Sequence, residues 1–171
     1  MKIVLLGYMA SGKSSIGRRL SKKINLPLID LDYYIEAKEG MTISEIFKNK
    51  GEIYFRKIEN VYLKEIIDKN EDYILSLGGG TPCYGNNMEV INSSDALSIY
   101  LKASVNKLAN RLILKKSKRP LVANLNDDQI FEFVGKHLFE RNPFYDQAKK
   151  IVKTDGKKKP EIVKEIIKLL Y

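Results

Sequence analysis

Apolar residues along the chain follow two alternating rhythms. Short continuous runs have the length and β-branched content of buried strands, and between them apolar residues recur every three to four positions, as on one face of a helix. The first run, residues 2–6 (KIVLL), stops at Gly7. Residues 13–24 then set Ile16, Leu20 and Ile24 four apart, a helical stripe. Pro27, Leu28 and Ile29 read as a second strand ending at Asp30, Leu31 and Asp32. Helical spacing resumes at Tyr33 and breaks at Gly40; Thr42 can cap a short helix over 43–49, and Gly51 separates it from a long helix to about residue 69 carrying Phe55, Ile58, Tyr62 and Ile66 on one face.

Residues 73–77 (YILSL) form the next predicted strand, stopped by Gly78, Gly79 and Gly80, and residues 96–101 (ALSIYL) another. Ser104 can cap a helix to about residue 114. Residues 115–126 are polar and lysine-rich and read as a mobile loop; a helix over about 127–141 follows, ended by Pro143. Ile151 and Val152 mark a last strand, and Pro160 opens a C-terminal helix with Ile162, Val163, Ile166, Ile167 and Leu170 inward. Strands alternating with helices predict an α/β fold: a parallel sheet covered by helices on both faces, with ligands beyond the carboxyl ends of the strands. Gly7, Asp30, Asp32 and Gly78 all fall at such ends.

Composition narrows the class. The 171 residues suit one domain over 1–171, and 44% hydrophobic with 30% charged residues is ordinary for a globular chain. No apolar run reaches the roughly 18 residues that span a bilayer. The single cysteine, Cys83, cannot form an internal bridge, so we expect a cytoplasmic protein without a membrane partner. Thirty Lys and Arg against 21 Asp and Glu give a net charge of +9. That charge is compatible with a nucleic-acid partner, a small anionic substrate or a solvated lysine surface. Basic residues are scattered and no RNA-binding aromatic signature lies among them, so no nucleic-acid partner is expected.

Residues 7–14, GYMASGKS, match G-x-x-x-x-G-K-[ST] in full, between a predicted strand and a predicted helix. In such a loop backbone amides turn inward around phosphate, the helix points its positive end at the anion, Lys13 reaches the β- and γ-phosphates, and the Ser14 hydroxyl can ligate Mg²⁺. A nucleoside triphosphate is therefore the predicted ligand. Asp30 and Asp32 are two apart, so in an extended chain both face one side, where one could hold a metal or its water and the other accept a proton; helix capping is an equal alternative for Asp32. Arg56, Arg119 and Arg141 could grip a carboxylate or phosphate bidentately, although no spacing rule selects them. Gly78, Gly79 and Gly80 would expose backbone to a ligand at close range. Cys83 and the sole histidine, His137, carry no pattern that marks them as reactive.

Taken together these pieces resemble the shikimate kinase family. They are residues 7–14 followed by Ile16 and Gly17; Asp30, Leu31 and Asp32 with Ile35 and Glu36; Gly51 and Glu52 leading to Phe55 and Arg56; the glycine triplet; Arg119, Pro120 and Leu121; and Arg141, Asn142 and Pro143 with Tyr145. Ser15 stands where threonine is commoner in the family, the stretch from Arg111 to Arg119 is one residue longer than usual, and lysines occupy 158 and 159. The resemblance implies a three-layer α/β/α fold of the P-loop, nucleoside-monophosphate-kinase-like type, with a five-stranded parallel sheet, a substrate region over about 32–62 and a lid over about 115–126. It implies transfer of the ATP γ-phosphoryl group to the 3-hydroxyl of shikimate, a step of aromatic amino-acid biosynthesis, by a monomer using Mg²⁺. Asp32, Lys13 and Arg119 would be catalytic. Ser11, Gly12, Lys13, Ser14, Ser15, Arg111, Arg119 and Lys158 would bind ATP, with Arg111 on the adenine. Asp32, Arg56, Gly78, Gly79, Gly80, Arg141, Phe47 and Phe55 would hold shikimate, and Ser14 and Asp30 would hold the metal. The competing readings are a gluconate or nucleoside monophosphate kinase and a P-loop regulatory module.

Overall fold

The computed structural model describes residues 1–118 and 121–171. In chain order the elements are β1 (Lys2–Leu6), α1 (Lys13–Ile24), β2 (Leu28–Asp30), α2 (Leu31–Glu39), α3 (Ile43–Ile67), β3 (Tyr73–Ser76), α4 (Asn87–Ser93), β4 (Leu97–Lys102), α5 (Val105–Leu114), α6 (Asp127–Tyr145), β5 (Lys150–Lys153) and α7 (Lys159–Leu170). The strands form one parallel sheet in the order β2-β3-β1-β4-β5. The order reverses beside β1, so a crevice opens beyond its carboxyl end, where such sheets bind ligands.

Alternation along the strands feeds two cores. Ile3, Leu5, Ile74, Ile99 and Leu101 point to the face covered by α1 and α7, meeting Ile16, Leu20, Ile162 and Ile166. Val4, Leu6, Leu75 and Tyr100 point to the opposite face, covered by α2 through α6. This is the three-layer α/β/α arrangement.

Four features depart from the pattern of the chain. The helix after β2 starts at Leu31, not Tyr33, because Asp30 caps it: its Oδ1 accepts the backbone N–H groups of Asp32 (3.1 Å) and Tyr33 (3.4 Å). Gly51 does break the helical path, with φ 84°, but only as a kink inside α3. The helix through Arg141 runs past Pro143 to Tyr145. A proline one turn from a helix end removes a single hydrogen bond; Phe139, which loses that amide partner, is 82% exposed, and Asp146 N–H closes the helix on Asn142 O at 2.8 Å. Residues 115–126 are not loose throughout: Lys116–Lys118 form a 3₁₀ turn and Val122 is fully buried in the second core. Arg119 lies outside the described residues.

Candidate functional site

The phosphate loop fills the gap between β1 and α1. Gly12 takes φ 100°, a backbone state that a side chain would strain, and hands the chain into α1, whose first turn has no acidic residue to occupy its positive end. Lys13 folds back over the loop, its Nζ donating to Gly7 O (2.7 Å) and Tyr8 O (2.9 Å), with Ser11 Oγ at 3.5 Å. Ser15 Oγ is buried without a hydrogen-bond partner. A cavity of about 440 Å³ opens over the loop, and Gly12, Lys13, Ser14, Ser15, Asp30, Asp32, Gly78, Gly79 and Arg111 line it. Arg111 donates from Nη1 to Ala10 O at 2.8 Å, so it braces the loop as well as facing the cavity. Lys159 lines the cavity; Lys158 is the cap residue of α7, its N–H donating to Glu161 at 2.6 Å.

Both aspartates line this cavity, although not as two residues of one strand. Asp30 ends β2, and Asp32 projects from the first turn of α2. Ser14 Oγ lies 3.4 Å from Asp30 Oδ2. Hydroxyl and carboxylate oxygens suit a hard cation such as Mg²⁺. No cluster of three or more His, Cys, Asp or Glu side chains that could hold a metal exists among the described residues. Such a donor set matches a cation that takes most of its ligands from water and substrate phosphates. Burial, with the neighbouring charges of Asp30 and Glu59, pushes the Asp32 carboxyl up to about 6 against the opposing pull of Lys13.

The glycine triplet joins this cavity to the arginines. A Cβ at Gly78 would stand 3.0 Å from Asp32 Oδ1, one at Gly79 would stand 3.3 Å from Arg141 Nη1 and 3.2 Å from Met9 N, and one at Gly80 would stand 2.9 Å from Arg56 Nη2. Three successive glycines thus each abut one predicted substrate-binding side chain, and the middle one also abuts the phosphate loop. Arg56 is held by Glu59, one turn on, through a 2.9 Å ion pair; Glu59 is 1% exposed and accepts from Thr81 Oγ1 at 2.8 Å. The guanidinium lies 3.7 Å from the Tyr84 ring centroid and 5.1 Å from that of Phe55. Its buried Nε has no hydrogen-bond partner. Phe47 packs on Phe55, ring centroids 4.6 Å apart, and stays partly exposed. Tyr145 donates its hydroxyl to Gly79 O at 2.5 Å.

Glu59, Thr81, Tyr84 and Tyr8 belong to this neighbourhood without having been predicted. Glu59 could have been found from its i+3 spacing to Arg56 on a helix; the others carry no local signal. Cys83 sits near Arg56 and Arg141, but burial pushes its thiol up to about 11, so it stays protonated at neutral pH.

Comparison with known proteins places the chain in a family. A profile described as Shikimate kinase matches residues 9–171. A shikimate kinase of Flavobacterium psychrophilum is 52% identical over 170 residues, covering 99% of each chain. The crystal structure of a shikimate kinase from Bacteroides thetaiotaomicron superposes with a TM-score of 0.91 at 34% identity, covering 99% of this chain and 98% of that one. One from Acinetobacter baumannii, in complex with shikimate, gives a TM-score of 0.84 at 30% identity, over 99% and 92% of the two chains. Sequence and fold coincide over nearly the whole length, and the chain belongs to the shikimate kinase family.

Proposed function

We propose that this chain transfers the γ-phosphoryl group of ATP to the 3-hydroxyl of shikimate across the crevice beyond β1, giving shikimate 3-phosphate and ADP. ATP-dependent phosphorylation of shikimate, in aromatic amino-acid biosynthesis, is the activity of the family. The observation that carries the site assignment is the glycine triplet, where Asp32, Arg141 and Arg56 meet successive residues beside the phosphate loop. A small ring bearing a carboxylate and hydroxyls suits two guanidinium groups and one carboxylate. A nucleotide acceptor would also need a surface that reads a base.

Position in the fold supports the following roles. Loop amides, the open end of α1 and Ser11, Gly12 and Ser15 hold the triphosphate, and Lys13 exchanges its carbonyl partners for the β- and γ-phosphates. Ser14 would hold Mg²⁺, with Asp30 supporting it, and the cation would neutralise charge on the β- and γ-oxygens. Arg111 and the start of α7 at Lys158 and Lys159 flank the nucleoside. Arg56 and Arg141 clamp the shikimate carboxylate, Gly79 and Gly80 leave room for the ring, and Phe55 with Phe47 walls the pocket.

Asp32 orients the attacking hydroxyl and takes its proton as the oxygen bonds to the γ-phosphorus and the bond to the β–γ bridging oxygen breaks. At pH 7, above its value of about 6, Asp32 is mostly ionised and fit for that task. Arg119, carried by residues 115–126, would neutralise the transferring group as the lid excludes water. The proposal extends to a monomer, and no described helix is long and apolar enough to cross a membrane. With a single cysteine, a cytoplasmic setting and one domain over 1–171 complete the proposal. The test is ADP release coupled to shikimate as sole acceptor; transfer to gluconate or a nucleotide in its place would refute it.

A further inference from the structure

Arg141 shares one side of α6 with His137, four residues before it, and Tyr145, four after it. Tyr145 reaches the glycine triplet, as described. His137 reaches the phosphate loop: its Nδ1 lies 3.0 Å from the hydroxyl of Tyr8, with the two rings perpendicular and their centroids 5.4 Å apart. Phe133 backs the imidazole at 5.2 Å. Tyr8 follows Gly7 directly and is 1% exposed, and the Arg141 guanidinium stands over its ring, 5.6 Å from the centroid.

The donor and acceptor can be assigned from their surroundings. Burial, only partly offset by Arg141, pushes the Tyr8 hydroxyl up to about 12, so it keeps its proton, and His137 Nδ1 is the one acceptor within hydrogen-bond reach of that buried hydroxyl among the described residues, so Tyr8 donates to it. Burial and then Arg141 hold the imidazole pKa down, against a weaker pull from Glu140, which favours the neutral ring, and a donating Tyr8 hydroxyl requires the tautomer with its hydrogen on Nε2. A phenylalanine at position 8 could pack the same volume but would lack the tie to His137; because a phenolic O–H prefers to lie in the plane of its ring, that tie favours one orientation of the Tyr8 ring.

A cation over an aromatic ring is attracted to its face, so that plane matters to Arg141. We infer that Tyr8 is a positioning residue for Arg141, its ring pinned by the hydrogen bond to His137, so that the phosphate loop sets the direction in which the guanidinium meets the substrate carboxylate. The inference rests on Arg141 as a carboxylate clamp. A long arginine held in its binding direction loses less freedom when the acid arrives, so the device acts on shikimate affinity.

The test is steady-state kinetics on the full chain for Tyr8→Phe, His137→Phe and His137→Asn, with melting temperatures measured alongside. Asparagine sets a side-chain oxygen near the place of Nδ1 and can accept from Tyr8. We expect Tyr8→Phe and His137→Phe each to raise the shikimate KM about five-fold, the scale of one buried hydrogen bond, with kcat and the ATP KM within about two-fold. His137→Asn should return the shikimate KM to within about two-fold of the parent. A shikimate KM unchanged in both phenylalanine variants, an asparagine variant no better than His137→Phe, or equal damage to both KM values and kcat would overturn the inference. A parent protein that does not turn over shikimate would overturn the functional reading first, and the inference with it.

Discussion

The guanidinium of Arg56 and the backbone of Gly80 leave no room for a side chain between them: a Cβ at Gly80 would lie 2.9 Å from Nη2 and 3.1 Å from Nη1. Gly80 has φ −87° and ψ −18°, which any residue adopts, so the glycine is there for the approach and not for the turn. Gly80→Ala should therefore fold normally and push Arg56 aside. The expected result is a shikimate KM raised about ten-fold or more, the cost of disturbing a charge-assisted hydrogen bond, at an unchanged ATP KM and with a melting temperature lowered only as far as the Arg56–Glu59 pair is loosened. Kinetics and thermal melting of this one variant separate that outcome from general damage.

Asp32 couples activity to stability through pH. Its carboxyl is raised from the ordinary 3.8 to about 6, first by burial, then by the charges of Asp30 and Glu59. The folded protein therefore binds this proton more tightly than the unfolded chain. The corresponding stability is present below about pH 3.8, is lost as pH rises to about 6, and changes no further above that. Asp32→Asn removes the penalty at neutral pH, a gain of about 3 kcal/mol at most. It should also lower kcat by about 10²- to 10⁴-fold. In the parent, kcat/KM should fall below pH 6 along an acid limb set by Asp32. Melting curves and rate profiles from pH 4 to 8 check both; a variant no more stable than the parent at pH 7 would contradict the assigned surroundings of Asp32.

Asp30 carries two duties that one substitution can separate. Its Oδ1 caps α2, and its Oδ2 faces Ser14 Oγ at 3.4 Å. Asparagine caps helices as well as aspartate does but brings no charge to a cation. Asp30→Asn should keep the melting temperature and raise the Mg²⁺ concentration for half-maximal activity about ten-fold or more. A Mg²⁺ titration of activity at fixed ATP decides it.

What could be seen in the sequence followed how local its cause is. β1 and α1 were placed to the residue, because an apolar strand, a complete phosphate-loop motif and a helical stripe adjoin there. Thr42 and Ser104 cap α3 and α5 as their spacing predicts. Alternation in a strand accounts only in part for the aspartate pair: residues 30 and 32 converge across a strand-to-helix corner. Pro143 reads as a stop because its cost in a helix interior is high, yet near the end of α6 that cost shrinks, and the extra turn brings Tyr145 to Gly79. α4, seven residues long, is too short to show a period. The pairing of Tyr8 with His137 joins residues 129 positions apart, and nothing in either neighbourhood announces the other.

The convergence of Asp32, Arg141 and Arg56 on the glycine triplet is tested most directly by following ADP release from ATP and Mg²⁺ with shikimate as the only acceptor, then with gluconate and nucleoside monophosphates in its place. The account predicts one ADP released per shikimate phosphorylated and no turnover above background with the other acceptors. Turnover with gluconate or a nucleotide, and none with shikimate, would contradict it.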